Sequence, residues 1–538
     1  MNTNYLKKII HPLRKYPSRI IIWVSLLIIT AVNISYENWN NEYKVISWDV
    51  NSYYAYLPMV FIYQDIDMDF MEQDFEKHKI HYWPHETKNG EKVIITSMGM
   101  AYLYAPFFLA GHGLVHLTGY AGDEFSAPYK IALIVSCLFY LTIGLIFLRK
   151  VLRMYFSEPV TSMSLLIIVF GTNLLHYVTE EPTMTHAYSF SLISIFLYLI
   201  TRWVSYPGIK LAILTGALAG LITLIRPTNI LFIILLILWG ITSFRDLLDR
   251  FRFYLRNLHL VMIMIMAFFI IWIPQFLYWY HVSGSILLNT YGMDGYGFFF
   301  NNPQVYHTLL SYRKGWLVYT PVMIFAIFGL YMLYKEHRKL FLPVLIYLLV
   351  NVYVISSWWC WWYGGGFGLR PFIDSYGIMS LPLAAFLSWS LRQKNLIKYT
   401  ILLMLVGMMY VNIFQVIQYK KGLIHYVMMS KETYWVSFLN MKLHRNYWNS
   451  IIRPDYGAAK KGEYYTKAEI PFGLEKKLGM TGREYINQLM DTIANQPEQL
   501  DDILRHKKNG ISVDSLIYLE AIRRFDQVVE RYHEMKNK

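Results

Sequence analysis

The feature that most constrains this chain is a recurring one. Apolar runs close to twenty residues long alternate with short loops rich in lysine and arginine. A helix needs about 20 apolar residues to cross the hydrocarbon core of a bilayer. Inside that core every backbone amide must find its partner within the protein, so runs of this kind fold as helices. They fall at about 20–36, 129–148, 160–178, 186–204, 210–226, 228–244, 258–280, 316–334, 340–357, 372–391 and 397–418. The expectation is an all-α polytopic membrane protein with about eleven transmembrane helices.

Sidedness follows from the basic loops, because lysine and arginine accumulate on the cytoplasmic side. Arg149, Lys150 and Arg153 follow the second run, and Arg202 and Lys210 the fourth. Arg245, Arg250, Arg252 and Arg256 form the next cluster, then Lys335, Arg338 and Lys339, then Arg392, Lys394 and Lys398. All fall on one side if the stretch 97–118 does not cross. That stretch holds Pro106, His112 and His116, which make it a poor span. It is expected to lie flat as an interfacial helix within the first outer loop, 37–128.

Composition removes several alternatives. Charged residues make up 16% of the 538, and hydrophobic residues 55%. Soluble domains carry about 25% charged residues. The net charge of +14 sits mainly in the short loops and reads as a topology signal. No nucleic-acid-binding module accompanies it, and no nucleic-acid partner is expected. The two cysteines, Cys137 and Cys360, belong to no disulfide framework or metal spacing. Lys7, Lys8, Arg14, Lys15 and Arg19 precede the first run, and no small-x-small cleavage site follows it. This predicts an uncleaved first helix with a cytoplasmic N-terminus. The expected organisation is a membrane domain over 1–420 and an extracytoplasmic, mostly helical module over 421–538. The module's helical pattern is carried by Leu489, Ile493, Leu500 and Ile503, then Leu516, Leu519, Ile522 and Phe525.

This topology places the chemically unusual residues on one outer face. Asp49 stands in Ser47-Trp48-Asp49-Val50-Asn51-Ser52-Tyr53-Tyr54, just after the first helix. A carboxylate beside a membrane is costly to desolvate and usually has a task; the plainer reading is an interfacial loop with a solvated acid. Glu180 and Glu181 precede Pro182, and His186 opens the next run. They read either as loop charges and a helix-capping histidine or as site residues. Arg226 precedes Pro227-Thr228-Asn229; Arg313 and Lys314 precede Gly315. The plainer role of Arg313 and Lys314 is headgroup anchoring, and that of Arg226 is snorkelling to the interface. Gly364-Gly365-Gly366 leads through Gly368 to Arg370, for which a loop carboxylate such as Asp374 is the plainer partner. The surrounding tryptophans suit an aromatic belt.

Together these residues suit one reaction. A carboxylate deprotonates an acceptor hydroxyl. Arginines and a histidine hold a lipid-linked phosphate as it leaves. Aromatic faces such as Tyr54 stack on sugar rings, and the 97–118 helix admits a polyprenyl chain laterally. No glycine-rich nucleotide loop or Rossmann unit is present, which fits a donor presented from the membrane. No cofactor is demanded. Glu180, Glu181 and His186 could contribute to a divalent metal site, but no spacing requires one. A lipid-linked oligosaccharide flippase or polysaccharide exporter is the alternative; it should carry charges at mid-helix along a path. A non-catalytic envelope scaffold is a third reading.

Over about 20–420 the chain resembles bacterial membrane glycosyltransferases of the GT-C type, akin to the protein-mannosyltransferase and aminoarabinose-transferase families. The residues that carry the resemblance are Asp49, the helix ending near Gly119, Glu181-Pro182 with His186, Arg226-Pro227-Thr228-Asn229, Arg313-Lys314-Gly315 with Tyr319-Thr320-Pro321, and Gly368-Leu369-Arg370. The resemblance implies a polyprenyl-phosphate-linked sugar donor and an acid of the first outer loop as catalytic base, which is Asp49 here. The leading reading is therefore sugar transfer to a glycan, lipid or protein acceptor at the outer face of the cytoplasmic (inner) membrane. Several relatives carry paired acids in that loop, whereas Val50 follows Asp49 here. A second acid then comes from elsewhere, with Glu181 the candidate, or Asp49 acts alone.

Overall fold

The computed structural model describes residues 16–496, 499–500 and 513–537. Lys7, Lys8, Arg14, Lys15 and Ile503 lie outside the described residues. The chain forms two compact units.

The first unit comprises Met1–Tyr296, Tyr319–Ser356 and Leu369–Val416. Its principal helices are α1 (Pro17–Tyr36), α2 (Asp49–Pro58), α3 (Gly99–Thr118), α4 (Ala127–Tyr155), α5 (Glu158–Phe170), α6 (Thr185–Ser205), α7 (Ile209–Ile225), α8 (Phe244–Arg256), α9 (Leu258–Ser283), α10 (Met323–Glu336), α11 (Arg338–Ser356), α12 (Tyr376–Leu391) and α13 (Asn395–Lys420). Of the described helices, six are long and apolar enough to cross a membrane: α1, α4, α6, α9, α11 and α13.

The other expected spans take shorter or broken forms, and proline and glycine mark most of the breaks. The run 160–178 becomes α5, ended at Gly171, and a short turn at His176–Thr179. The run 228–244 becomes a 3-10 turn, Pro227–Phe232, leading into Ile233–Leu238. The run 316–334 splits into Trp316–Tyr319 and α10 on either side of Pro321. The run 372–391 opens with a 3-10 turn, Arg370–Ser375, before α12. Proline lacks the amide a helix interior needs, yet its fixed φ suits a first turn.

Glycines let these helices meet closely, which is how apolar bundles gain packing energy without a hydrophobic driving force. A Cβ on Gly216 or Gly220 of α7 would strike the carbonyls of Met264 or Phe268 on α9. A Cβ on Gly329 of α10 would strike the Pro382 carbonyl of α12. In α3 the residues Met100, Leu103, Tyr104 and Phe108 are buried, while Leu114 and Leu117 are exposed.

The first outer segment carries a short hairpin: His85–Glu86 and Lys92–Val93 pair antiparallel, with His85 opposite Val93. Asn89-Gly90 closes this hairpin, and Gly90 adopts φ +84, a conformation glycine takes without penalty. The basic stretch after residue 244 is not a plain loop. Ser243 and Asp246 form a reciprocal capping box that starts helix α8.

The second unit comprises Gly297–Val318, Ser357–Gly368 and Ile417–Lys538. Phe298 and Trp358 bridge their strands antiparallel, and the Phe299 amide donates to the Ser357 carbonyl at 2.6 Å. Its helical part holds Phe472–Leu478, Gly482–Ala494 and Val513–Asn537. Ala468, Leu474, Ile486, Ile493, Ile517, Ala521 and Phe525 form its core. Of the residues expected to carry the helical pattern, Ile493 and Phe525 are in this core and Leu489, Leu500 and Ile522 pack against it, whereas Leu519 is exposed and Ile517 and Ala521 face inward instead.

Candidate functional site

Asp49 is the first residue of α2, directly after Trp48, whose φ of 52° is unusual for a residue with a side chain. At a helix N-terminus the free amides and the dipole favour a carboxylate. Asp49 Oδ2 lies 2.7 Å from Arg370 Nη2. Asp49 is 43% exposed and Arg370 17%, so the pair faces solvent through the acid.

Arg370 opens the 3-10 turn whose fifth residue is Asp374. Asp374 does not pair with Arg370, as the sequence suggested, but with two residues from other helices. Its Oδ1 lies 2.9 Å from His186 Nδ1 and its Oδ2 3.4 Å from Arg226 Nη1. Arg226 Nη1 also lies 3.1 Å from the same His186 nitrogen. His186 is the second residue of α6, and Arg226 caps the C-terminus of α7. His186 and Asp374 are buried. An Nδ1–H donated to Asp374 leaves His186 Nε2 with the lone pair.

The two groups share one electrostatic neighbourhood. Burial opposes the charge of Arg370, but Asp49, Tyr177, Tyr53 and Glu181 outweigh it and push the guanidinium pKa up. Burial, then Asp49 and Tyr291, push the Tyr53 phenol up, while Arg370 and Arg226 pull it down. His186 interacts with Arg226 and Arg370 as well as Asp374. The structure therefore gathers Asp49, Glu181, His186, Arg226 and Arg370, and adds Asp374, Tyr53, Tyr177 and Tyr291. The sequence signal for Asp374 was its spacing from Arg370, one helical turn, which puts both on one short element.

The other named residues sit elsewhere. Tyr54 is not a contact surface: it is fully buried and donates to the Glu124 carbonyl at 2.5 Å. Tyr53, four residues after Asp49, is the tyrosine that interacts with Asp49, Arg370 and Arg226, because i and i+4 share a helix face. Glu180 is buried and accepts from Asn38 and Lys44, each at 3.4 Å. Glu181 is the exception: besides its electrostatic interaction with Arg370 it lies 3.4 Å from His176 Nε2. Arg313 and Lys314 belong to the second unit. There Arg313 pairs with Glu469 at 2.8 Å beneath the Trp362 ring, and Lys314 donates to the Gly366 carbonyl. Among the described residues, no group of three or more His, Cys, Asp or Glu side chains is arranged to hold a metal ion.

The cluster combines two guanidinium groups, a buried imidazole–carboxylate pair and a partly exposed carboxylate. It can hold a dianion through its arginines and accept a proton at its acid.

No protein-family model matches the chain, and no curated protein matches it. Among solved structures, it is similar to the oligosaccharyltransferase of Archaeoglobus fulgidus in its apo form, with 11% sequence identity and a TM-score of 0.41. The alignment covers 94% of this chain and 63% of the archaeal one, so this chain spans less than two thirds of that protein's length.

Proposed function

We propose that the chain is a GT-C type membrane glycosyltransferase. It moves a hexose or pentose from a polyprenyl-phosphate-linked donor to a glycan, lipid or protein acceptor at the outer face of the cytoplasmic membrane. The observation that carries this reading is the Asp49–Arg370 ion pair beside the His186–Asp374–Arg226 group. When the donor phosphate competes for Arg370, Asp49 is released to act. It takes the acceptor hydroxyl proton as the new glycosidic bond forms and the sugar–phosphate bond breaks. Arg370 and Arg226 then neutralise the departing polyprenyl phosphate. Glu181, near Arg370, is the reserve acid.

The position of the charges supports an enzyme over an exporter. Asp49 and His186 lie at helix beginnings, Arg226 at a helix end and Arg370 at the start of a turn. A transport path would be expected to carry such charges at mid-helix.

The test is sugar transfer by purified protein from a polyprenyl-phosphate sugar. Asp49→Asn keeps size and much of the hydrogen bonding but cannot take the proton. We expect normal membrane insertion, donor binding largely kept, and a rate loss of at least about a hundredfold. Turnover within a few-fold of the parent removes Asp49 from the mechanism and makes Glu181 the next residue to change.

A further inference from the structure

Helix α8 has three sharply different sides. Phe244, Leu247, Leu248, Phe251 and Leu255 fall on one helical face. They are between 37% and 73% exposed. A second side ties the helix to its own unit. Arg250 Nη2 donates to the Trp239 carbonyl at 2.6 Å, Tyr254 Oη to the Leu236 carbonyl at 2.7 Å, and Phe253 meets Trp203 edge-on at 6.4 Å. The third side carries Arg245, Arg252 and Arg256, which the helical repeat aligns next to the apolar face. Asp249 pairs with Arg252 at 2.8 Å.

We infer that α8 lies in the membrane interface, with its apolar face in the acyl region and its arginine flank on anionic phospholipid headgroups. Three observations select this occupant. Four arginines and two aspartates in thirteen residues exclude a crossing helix. One residue, Asn257, separates α8 from α9, a helix long and apolar enough to span. The end of α8 is thereby held where α9 enters the bilayer. The net charge of the helix, four Arg less two Asp, is +2, which complements an anionic surface. The contacts of Arg250 and Tyr254 fix the rotation of the helix, so the apolar face is presented rather than free to turn inward. This inference is independent of the glycosyltransferase reading.

The experiment uses the full chain in vesicles of phosphatidylcholine with or without phosphatidylglycerol. Cys137 and Cys360 are both buried, so a spin label directs itself to an introduced cysteine. Labels at Leu248→Cys and Phe251→Cys should meet dissolved oxygen far more readily than a water-soluble nickel complex. A label at Asp249→Cys, on the exposed polar flank, should show the reverse. Labels at 248 and 251 that meet the nickel complex freely would put the face in water. Labels shielded from both reagents would mean a protein partner or second copy covers it. Either outcome overturns the inference. Separately, Arg245→Gln, Arg252→Gln and Arg256→Gln should each reduce the preference for spin-labelled phosphatidylglycerol over phosphatidylcholine by about fivefold. An unchanged preference in the triple variant overturns the headgroup assignment, and the labels on otherwise native protein report placement even if that variant misfolds.

Discussion

Arg370 and the His186–Asp374 pair differ in what is left behind when a partner is removed. Arg370 pairs with a carboxylate that is 43% exposed, so Arg370→Ala strands no buried charge. Its loss should be felt in donor use. A charge-assisted hydrogen bond is worth about 1.5–3 kcal/mol, so donor affinity should weaken roughly ten- to a hundredfold with little change in melting temperature. Normal transfer at low donor concentration would make Arg370 structural. His186 and Asp374 are a different case, because both are buried. Removing one partner of a buried polar pair exposes the other to an uncompensated desolvation cost. His186→Ala and Asp374→Asn should therefore be non-additive. A double-mutant cycle on stability should give a coupling of about 0.5–3 kcal/mol; additive effects would mean that their 2.9 Å contact contributes nothing.

At the scale of elements, proline and glycine decide most. Pro227, Pro321 and Pro371 set the breaks that leave Arg226, Thr320 and Arg370 at helix ends. Glycine decides which helices touch. The contact between α7 and α9 depends on Gly216 and Gly220 lying against backbone carbonyls. Gly216→Leu should force the helices apart and cost about 1–3 kcal/mol, read as a lower unfolding temperature in detergent. An unchanged transition would show that the two helices hold together through other contacts. The same glycines are unremarkable in sequence, because an apolar run reads alike whether its small residues face lipid or a neighbour.

For the whole molecule, six described helices are long and apolar enough to span, and the basic loops between the runs remain the guide to orientation. The reading with an interfacial 97–118 and eleven crossings predicts a cytoplasmic N-terminus and an extracytoplasmic C-terminus. A reporter that is active only outside the cytoplasm, fused after Lys538, should be active. Activity of a cytoplasm-only reporter at that position would reverse the parity and make 97–118 a crossing helix.

The sequence alone determined the helical, membrane-spanning character of the chain, since length and apolarity are local properties. It also pointed to Asp49, Glu181, His186, Arg226 and Arg370, because charged residues at the ends of apolar runs are conspicuous. Tertiary structure decided which of them meet. Arg370 takes Asp49, more than three hundred residues away in the chain, and leaves Asp374 to His186 and Arg226. Helix phase decided between Tyr53 and Tyr54, a difference of one residue that turns a side chain by about 100°. Compactness decided that 297–318 and 357–368 join 417–538 in one unit. Pairing between distant segments depends on the shape of the folded backbone, and no local pattern of residues carries that information.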